Sequence, residues 1–463
     1  MMQHNEIFEN WFDKKAEAFR QRCPNSERVN RHAHEYLPGG DTRTATFYLP
    51  YPVYVKEGKG CRFVDIDGNE YIDFLNNYTA LTLGHCHPSV VSAITRQAGK
   101  GISFASPTRS QIELAEIICE RVKSIDKLRF CNSGTEATMS AIRAARIVTG
   151  KTKVVKIEGG YHGSHDVVEV SYSPDAAEYG PIEKPNSVPQ NKGIPQSILH
   201  EVIIIPFNNK KVAEEIIERQ ASQIACVIVE PMLGATGCIC QADGYLEHLR
   251  ELTRKNHIIL IFDEIVTFRL NYHAMQYLYS LEPDLTTFGK LIGGGLPVGA
   301  FGGSEEIMNL YSPLNRAHVA HSGTFNGNPV TMAAGKACLT EMTPSVYDHL
   351  NKLGDDLRNG LNNSLERAGI KGDVTGYGSL SCIHFNKEEI IDYRSAAKDN
   401  LMAMELVHLE LLERGINVPA RGGECAISSP MTEKEIEAFI VAFEESLLQI
   451  RPFIEETAPE LLL

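Results

Sequence analysis

The chain has 463 residues, 43% of them hydrophobic and 22% charged, which is enough for two or three packed units and excludes a disordered, collagen-like or coiled-coil protein. Its 45 Lys and Arg against 59 Asp and Glu leave a net charge of −14, which excludes nucleic acid and anionic membrane as general partners. Eleven scattered cysteines point to reduced thiols in a cytoplasmic setting, and no export segment or membrane span is expected, because no window reaches ~20 apolar residues.

In chain order, residues 52–75 hold two short alternating segments around Asp67-Gly68-Asn69, which predicts a small antiparallel piece. His85 and His87 have the spacing of a zinc pair, but a complete site needs further ligands, so no metal is expected. From about 110 to 305, amphipathic windows alternate with short apolar runs bounded by Gly or Pro, the pattern of a mostly parallel α/β sheet. The runs at 128–130, 153–157, 202–205, 225–229, 258–262 and 298–301 are the expected strands. Between the first two, 137–148 is helical, with Ala141, Ile142, Ala145 and Val148 on one face. Residues 173–197, rich in Pro, Gly and Asn, read as a lid or a disordered insert. Downstream, 354–365 and 400–414 are helical and flank a strand at 380–385. The expected organisation is an N-terminal segment over 1–75 that contributes to a small domain, a large domain over 76–330, and a C-terminal small domain over 331–463.

The apolar run 258–262 ends in Asp263-Glu264, and open α/β sheets hold ligands at the carboxyl ends of their strands. A nucleotide triphosphatase would also carry an acid there, together with a phosphate loop. The nearest match, 145–152, has Ala145 where the first Gly is required and runs from helix to strand rather than from strand to helix. A different anion cradle lies at Asn132-Ser133-Gly134-Thr135-Glu136, which follows a strand and opens a helix. By itself Ser-Gly-Thr also serves as a plain N-cap. Lys290 sits between a β-like segment and Gly293-Gly294-Gly295, where backbone can approach a ligand closely. Burial and nearby cations would lower its pKa and let it form an imine with a carbonyl. An aldehyde cofactor with a phosphate tail would use both sites. Pyridoxal 5'-phosphate (PLP) is that cofactor, and Asp263 supplies the carboxylate that its ring nitrogen needs.

These residues, with Gly160-Tyr161-His162-Gly163, Val229-Glu230-Pro231, Phe288-Gly289-Lys290 and Gly323-Thr324-Phe325-Asn326-Gly327-Asn328-Pro329, resemble class III aminotransferases of the fold-type I PLP superfamily. Within it the chain is most similar to glutamate-1-semialdehyde aminomutase and to β-amino-acid aminotransferases of the β-phenylalanine type. The resemblance implies an α/β fold of type I, with a large domain on a mostly parallel sheet and a smaller α+β domain built from both termini. It implies that Lys290 holds the cofactor as a Schiff base and shuttles the proton, and that Asp263 pairs with the ring nitrogen. Ser133, Gly134 and Thr135 would hold the phosphate, with Thr324 reaching it from the other subunit of a homodimer whose active sites lie at the interface. Tyr161 would stack on the ring and Ile265 would pack on its other face, while His162 and Glu230 complete the cofactor set.

The expected reaction is ping-pong transfer of an amino group from an amino acid, β-amino acids included, to a 2-oxo acid. Arg43 and Arg421 are the candidates for substrate carboxylates, because a guanidinium fork matches a carboxylate. Tyr48 and Tyr78 are the candidates for an apolar pocket wall. Thr267-Phe268-Arg269 lacks the Gly that precedes Phe-Arg in the aminomutase pattern, as in the β-amino-acid group. An aminomutase or amino-acid racemase using the same Lys290 and Asp263 is the alternative, and a non-enzymatic cofactor-binding regulator is disfavoured by the intact set.

Overall fold

The computed structural model describes residues 2–242 and 244–463. Strands β1 (Val55–Lys59), β2 (Arg62–Asp65) and β3 (Glu70–Asp73) form an antiparallel meander. The Asp65 carboxylate fixes the second turn by accepting from the N–H groups of Asp67 and Asn69 at 2.9 and 2.8 Å. In order along the chain follow β4 (Lys127–Cys131), β5 (Lys153–Ile157), β6 (Val202–Ile205), β7 (Ile224–Val229), β8 (Met232–Leu233), β9 (Ile239–Cys240), β10 (Ile259–Asp263), β11 (Leu285–Gly289) and β12 (Gly299–Gly303). Seven of these make one sheet in the order β4-β12-β11-β10-β7-β5-β6.

The run β6-β5-β7-β10-β11 is parallel, and β12 is antiparallel to both β11 and β4. The reversal follows from the connection: 290–298 is too short for the crossover that parallel strands need, so β12 returns alongside β11. One face of the sheet packs Val154, Ile204, Cys226, Ile228 and Ile261 against Ala137 and Ala141 of the helix Gly134–Thr149. The other packs Val155, Val227 and Phe262 against the helices Lys210–Gln220 and Tyr245–Lys255. Strands buried on both faces explain why these runs are continuously apolar.

Beyond the sheet come β13 (Asp373–Tyr377), β14 (Leu380–His384), β15 (Ile416–Asn417) and β16 (Glu424–Ala426). β15 pairs in parallel with β3, so the two ends of the chain meet in one sheet. The helices Pro344–Ala368 and Glu433–Thr457 pack on each other beside it. The Pro-rich stretch 173–197 is irregular until the helix Gln196–Glu201, and it is strapped to the helix Tyr393–Ala396. There the Tyr393 hydroxyl donates to the Pro174 carbonyl at 2.8 Å, and Arg394 donates to the carbonyls of Gly180 and Tyr179 at 2.8 and 3.2 Å.

Candidate active site

At the carboxyl end of β10 the pleat that buries Ile261 turns Asp263 to the same face, now beyond the apolar core. One carboxylate oxygen pairs with His162 Nδ1 at 2.8 Å. The other accepts from Thr287 Oγ1 at 2.9 Å and from the Ile265 N–H at 3.1 Å. These three contacts fix the direction of the buried carboxylate. Burial lowers the pKa of His162, and the Asp263 contact opposes the shift.

The helix Gly134–Thr149 points its N-terminus at the same place, because β4 ends just before it. Ser133 is its N-cap: the hydroxyl accepts from the Glu136 N–H at 3.2 Å and retains its own proton for a ligand. The N–H groups of Gly134 and Thr135 have no intrahelical acceptor. A side chain at Gly134 would bring its Cβ to 2.6 Å from Ile265 Cδ1, so Ile265 would have to shift to admit any larger residue here.

Lys290 follows β11 directly with φ of +47°, a conformation rare for a residue with a Cβ and typical of functional sites. Burial pushes its amine below the usual lysine value, with Glu424, Glu230 and Asp263 opposing in that order. Glu230, after β7, accepts from the N–H groups of Tyr161 and Gly234 at 3.0 and 3.1 Å. Burial pushes its carboxyl up to about 8, and the neighbouring Asp263 adds to the shift.

These groups line a cavity of about 340 Å³ whose walls include Gly134, Thr135, Tyr161, Ile265 and Lys290, within the usual range for small-ligand sites. Its mouth carries Asn77 and Ala80. Asn76, Asn77, Tyr78 and Thr79 all have positive φ, at 51, 50, 53 and 73°, a left-handed turn that costs energy unless its surroundings impose it. Buried Arg269 helps to impose it, donating to the Thr79 carbonyl at 3.1 Å, to Ser379 Oγ at 3.2 Å and to the Ile427 carbonyl.

An anion cradle at one end, a carboxylate for a ring nitrogen at the other and a buried amine between them fit PLP, which supplies the aldehyde and the electron-withdrawing ring for amino-group chemistry. This arrangement on a mostly parallel sheet defines a fold-type I PLP enzyme. The chain belongs to the class III aminotransferases: the family model described as "Aminotransferase class-III" matches residues 44–440.

A glutamate-1-semialdehyde 2,1-aminomutase of Methanothermobacter thermautotrophicus is 43% identical, over 91% of this chain and 98% of that protein. An omega-transaminase structure from Sphaerobacter thermophilus matches with a TM-score of 0.89 and 42% identity, over 92% of this chain and 98% of its own. A β-phenylalanine aminotransferase from Variovorax paradoxus matches with a TM-score of 0.86 and 34% identity, over 98% and 99%.

The residues Gly134, Thr135, Tyr161, His162, Glu230, Asp263, Ile265 and Lys290 come together around the cavity, with Ser133 capping the helix behind it. Thr324 lies exposed on the loop before the helix Pro329–Glu341 and is not part of this chain's own cavity lining, although Asn132 of that lining donates to Asn326 two residues further on at 2.8 Å. At the mouth, Arg43 donates to Asn77 Oδ1 at 2.7 Å, its guanidinium lies 5.9 Å from the Tyr78 ring centre, and the Tyr78 hydroxyl donates to the Ala45 carbonyl.

Two of the candidates lie outside the cavity lining. Tyr48 does not line the pocket: its hydroxyl accepts from the Val53 N–H at 2.8 Å and its half-buried ring packs on Phe19 and His408 at the edge of a core cluster. Arg421 is not at the cavity either, but exposed and paired with Glu405 at 2.7 Å.

Three residues escaped the sequence reading. Tyr172, whose ring centre lies 4.9 Å from that of Tyr161, backs that side chain from outside the cavity lining. Glu424 on β16 has a buried Oε1 without a partner among the described residues, and its charge is the strongest acting on Lys290. Thr287 orients Asp263 from the adjacent strand. Only Glu424 left a trace, as an acid two residues past the Arg421-Gly422 turn.

Proposed function

We propose that the protein is a PLP-dependent transaminase that moves the amino group of an amino acid, β-amino acids included, to a 2-oxo acid in two half-reactions. The observation that carries the reading is Arg43, held by Asn77 and lying over Tyr78 at the cavity mouth, where a carboxylate would meet a guanidinium while the amine reaches Lys290. Tyr161 lines the cavity, with Tyr172 packed on it and Tyr78 beside Arg43, aromatic neighbours suited to an apolar side chain. Lys290 moves the proton: its amine, desolvated and flanked by Glu230 and Asp263, acts as acid and base without being replaced by water.

Asp263, Ser133, Gly134 and Thr135 bind and orient the cofactor, with Tyr161 and Ile265 on its two faces and Thr324 completing the phosphate site of the partner subunit in a homodimer. The division into 1–75, 76–330 and 331–463 belongs to this proposal and is supported by a seven-stranded sheet that falls wholly within 127–303. A cytoplasmic setting is supported by eleven cysteines all free as thiols. Among the described residues no helix is long and apolar enough to cross a membrane.

Incubating the PLP-loaded protein with β-phenylalanine or an α-amino acid, with and without pyruvate or 2-oxoglutarate, tests the reading. Amino transfer only when the acceptor is present is expected; isomerisation without acceptor overturns it. The 43% identity to a glutamate-1-semialdehyde 2,1-aminomutase supports an aminomutase as the second reading. Glutamate-1-semialdehyde converted without any acceptor is the outcome that would establish it.

A further inference from the structure

Gly84-His85-Cys86-His87-Pro88 carries two histidines that the cofactor chemistry leaves unused. Among the described residues neither belongs to a cluster of metal-ligating side chains. His85 instead pairs through Nε2 with Asp73 Oδ2 at 2.8 Å. Its own N–H and carbonyl exchange hydrogen bonds with Gly60 at 2.7 and 2.9 Å, which fixes the ring from the backbone side. Gly58 leaves the room for it, since a Cβ there would lie 2.7 Å from the ring Cγ.

Asp73 ends β3 and is buried, so both of its oxygens need donors. His85 serves Oδ2. Oδ1 accepts from the N–H groups of Leu75 and Asn76 at 3.1 and 3.0 Å, and from Asn417 Nδ2 at 3.0 Å. A short acidic side chain that takes up the N–H groups two and three residues ahead starts a turn. Here the turn is the left-handed run 76–79, a conformation that residues with a Cβ keep only when it is held.

The run is held at both ends. Arg269 takes the Thr79 carbonyl at 3.1 Å, and Asp73 takes the Asn76 N–H. The Asn76 side chain adds a third anchor, donating to the Ala426 carbonyl at 2.6 Å. Between these anchors stands Asn77, which lines the cavity and accepts from Arg43 at 2.7 Å. A mere strut of the sheet would spend its contacts on strands; two of the four on Asp73 go to the backbone of this turn.

We propose that His85 and Asp73 are positioning residues that set the place of Arg43 at the cavity mouth, and with it the preference of the site for a substrate carboxylate. Neither lines the cavity; the effect passes through the turn to Asn77 and from Asn77 to the guanidinium. A long flexible side chain recognises an anion well only when its orientation is set beforehand, and small displacements of such a group are costly. The inference rests on the reading of Arg43 as the group that meets the carboxylate.

Its test is calorimetric titration of the PLP-loaded protein with 3-phenylpropanoate, a carboxylate that has no amine to react, against 3-phenylpropanamide, its uncharged counterpart. The native protein should bind the acid about tenfold or more tightly than the amide, and Arg43→Ala should bring that ratio close to one. Asp73→Ala should remove most of the preference and His85→Ala should lower it about threefold. His85→Gln, whose amide can still donate to Asp73, should restore it. In Arg43→Ala, adding Asp73→Ala should change the ratio no further.

A purely structural pair would lower the melting temperature and leave the ratio in place. A native ratio in both Asp73→Ala and His85→Ala, with the ratio lost in Arg43→Ala, overturns the inference alone. A native protein that does not distinguish the acid from the amide overturns the reading of Arg43 and the inference with it. If Asp73→Ala does not accumulate as folded protein, His85→Ala decides, and a native ratio there overturns the inference equally.

Discussion

Replacing Gly299 by Ala tests the phosphate cradle from a position that is not itself proposed to contact the cofactor. Gly299 opens β12 and pairs with Cys131 on β4. An added Cβ runs directly into the Ser133 carbonyl oxygen and lies 2.5 Å from its carbon and 2.8 Å from Cys131 Sγ. Carbon atoms pack at about 3.5–4.0 Å, so the Ser133 backbone must retreat by about 1 Å. Overpacking of this kind costs about 1–3 kcal/mol. If release of PLP relieves all of it, affinity falls by roughly 5- to 140-fold at 1.4 kcal/mol per decade. Titration of the apoprotein with PLP, followed by absorbance, measures the loss, and thermal melting without PLP measures the strain left in the fold. Native affinity together with a native melting temperature would refute the close approach of β12 to the cradle.

Arg43→Ala should raise the KM for amino acids about tenfold or more with kcat less affected, whereas Arg421→Ala should leave KM nearly native because Arg421 is spent on Glu405; the reverse pattern in steady-state kinetics would move the carboxylate site. Arg394→Ala leaves the Glu158 carboxylate buried without its cation, so denaturant unfolding should show a loss of about 3 kcal/mol, and a loss below about 1 kcal/mol would contradict the strap. Glu230 has a raised pKa in the folded state, so its contribution to stability is complete below the ordinary carboxyl value of 4.5 and is lost as pH climbs through about 8. In Glu230→Gln the melting temperature should therefore decline less than the native one across that window, and parallel profiles would refute the assignment.

Much of the site was readable in the sequence because its signals are local. Ser133-Gly134-Thr135 follows a strand and opens a helix within a few residues, Asp263 terminates an apolar run, and Lys290 precedes consecutive glycines. Other features depend on contacts between distant segments. Tyr48 and Tyr78 looked alike in sequence, yet Phe19 and His408, from opposite ends of the chain, bury the first, and Arg43 marks the second at the cavity mouth. Arg421 pairs with Glu405 on the helix Leu401–Glu413, which no spacing rule links to it. The antiparallel return of β12 was legible only as a short connection between two apolar runs. Lys156 stood inside an expected strand, and only the register shows that it lies opposite Ile228 of β7 in the middle of the sheet.

The central claim is that Lys290 is the amine that joins the cofactor. Borohydride reduction of the PLP-loaded protein, followed by peptide mass spectrometry, tests it directly. The account predicts the added pyridoxyl mass on the peptide that carries Lys290. That mass on another lysine, with buried Lys156 the sharpest alternative, or on no peptide at all, would contradict it.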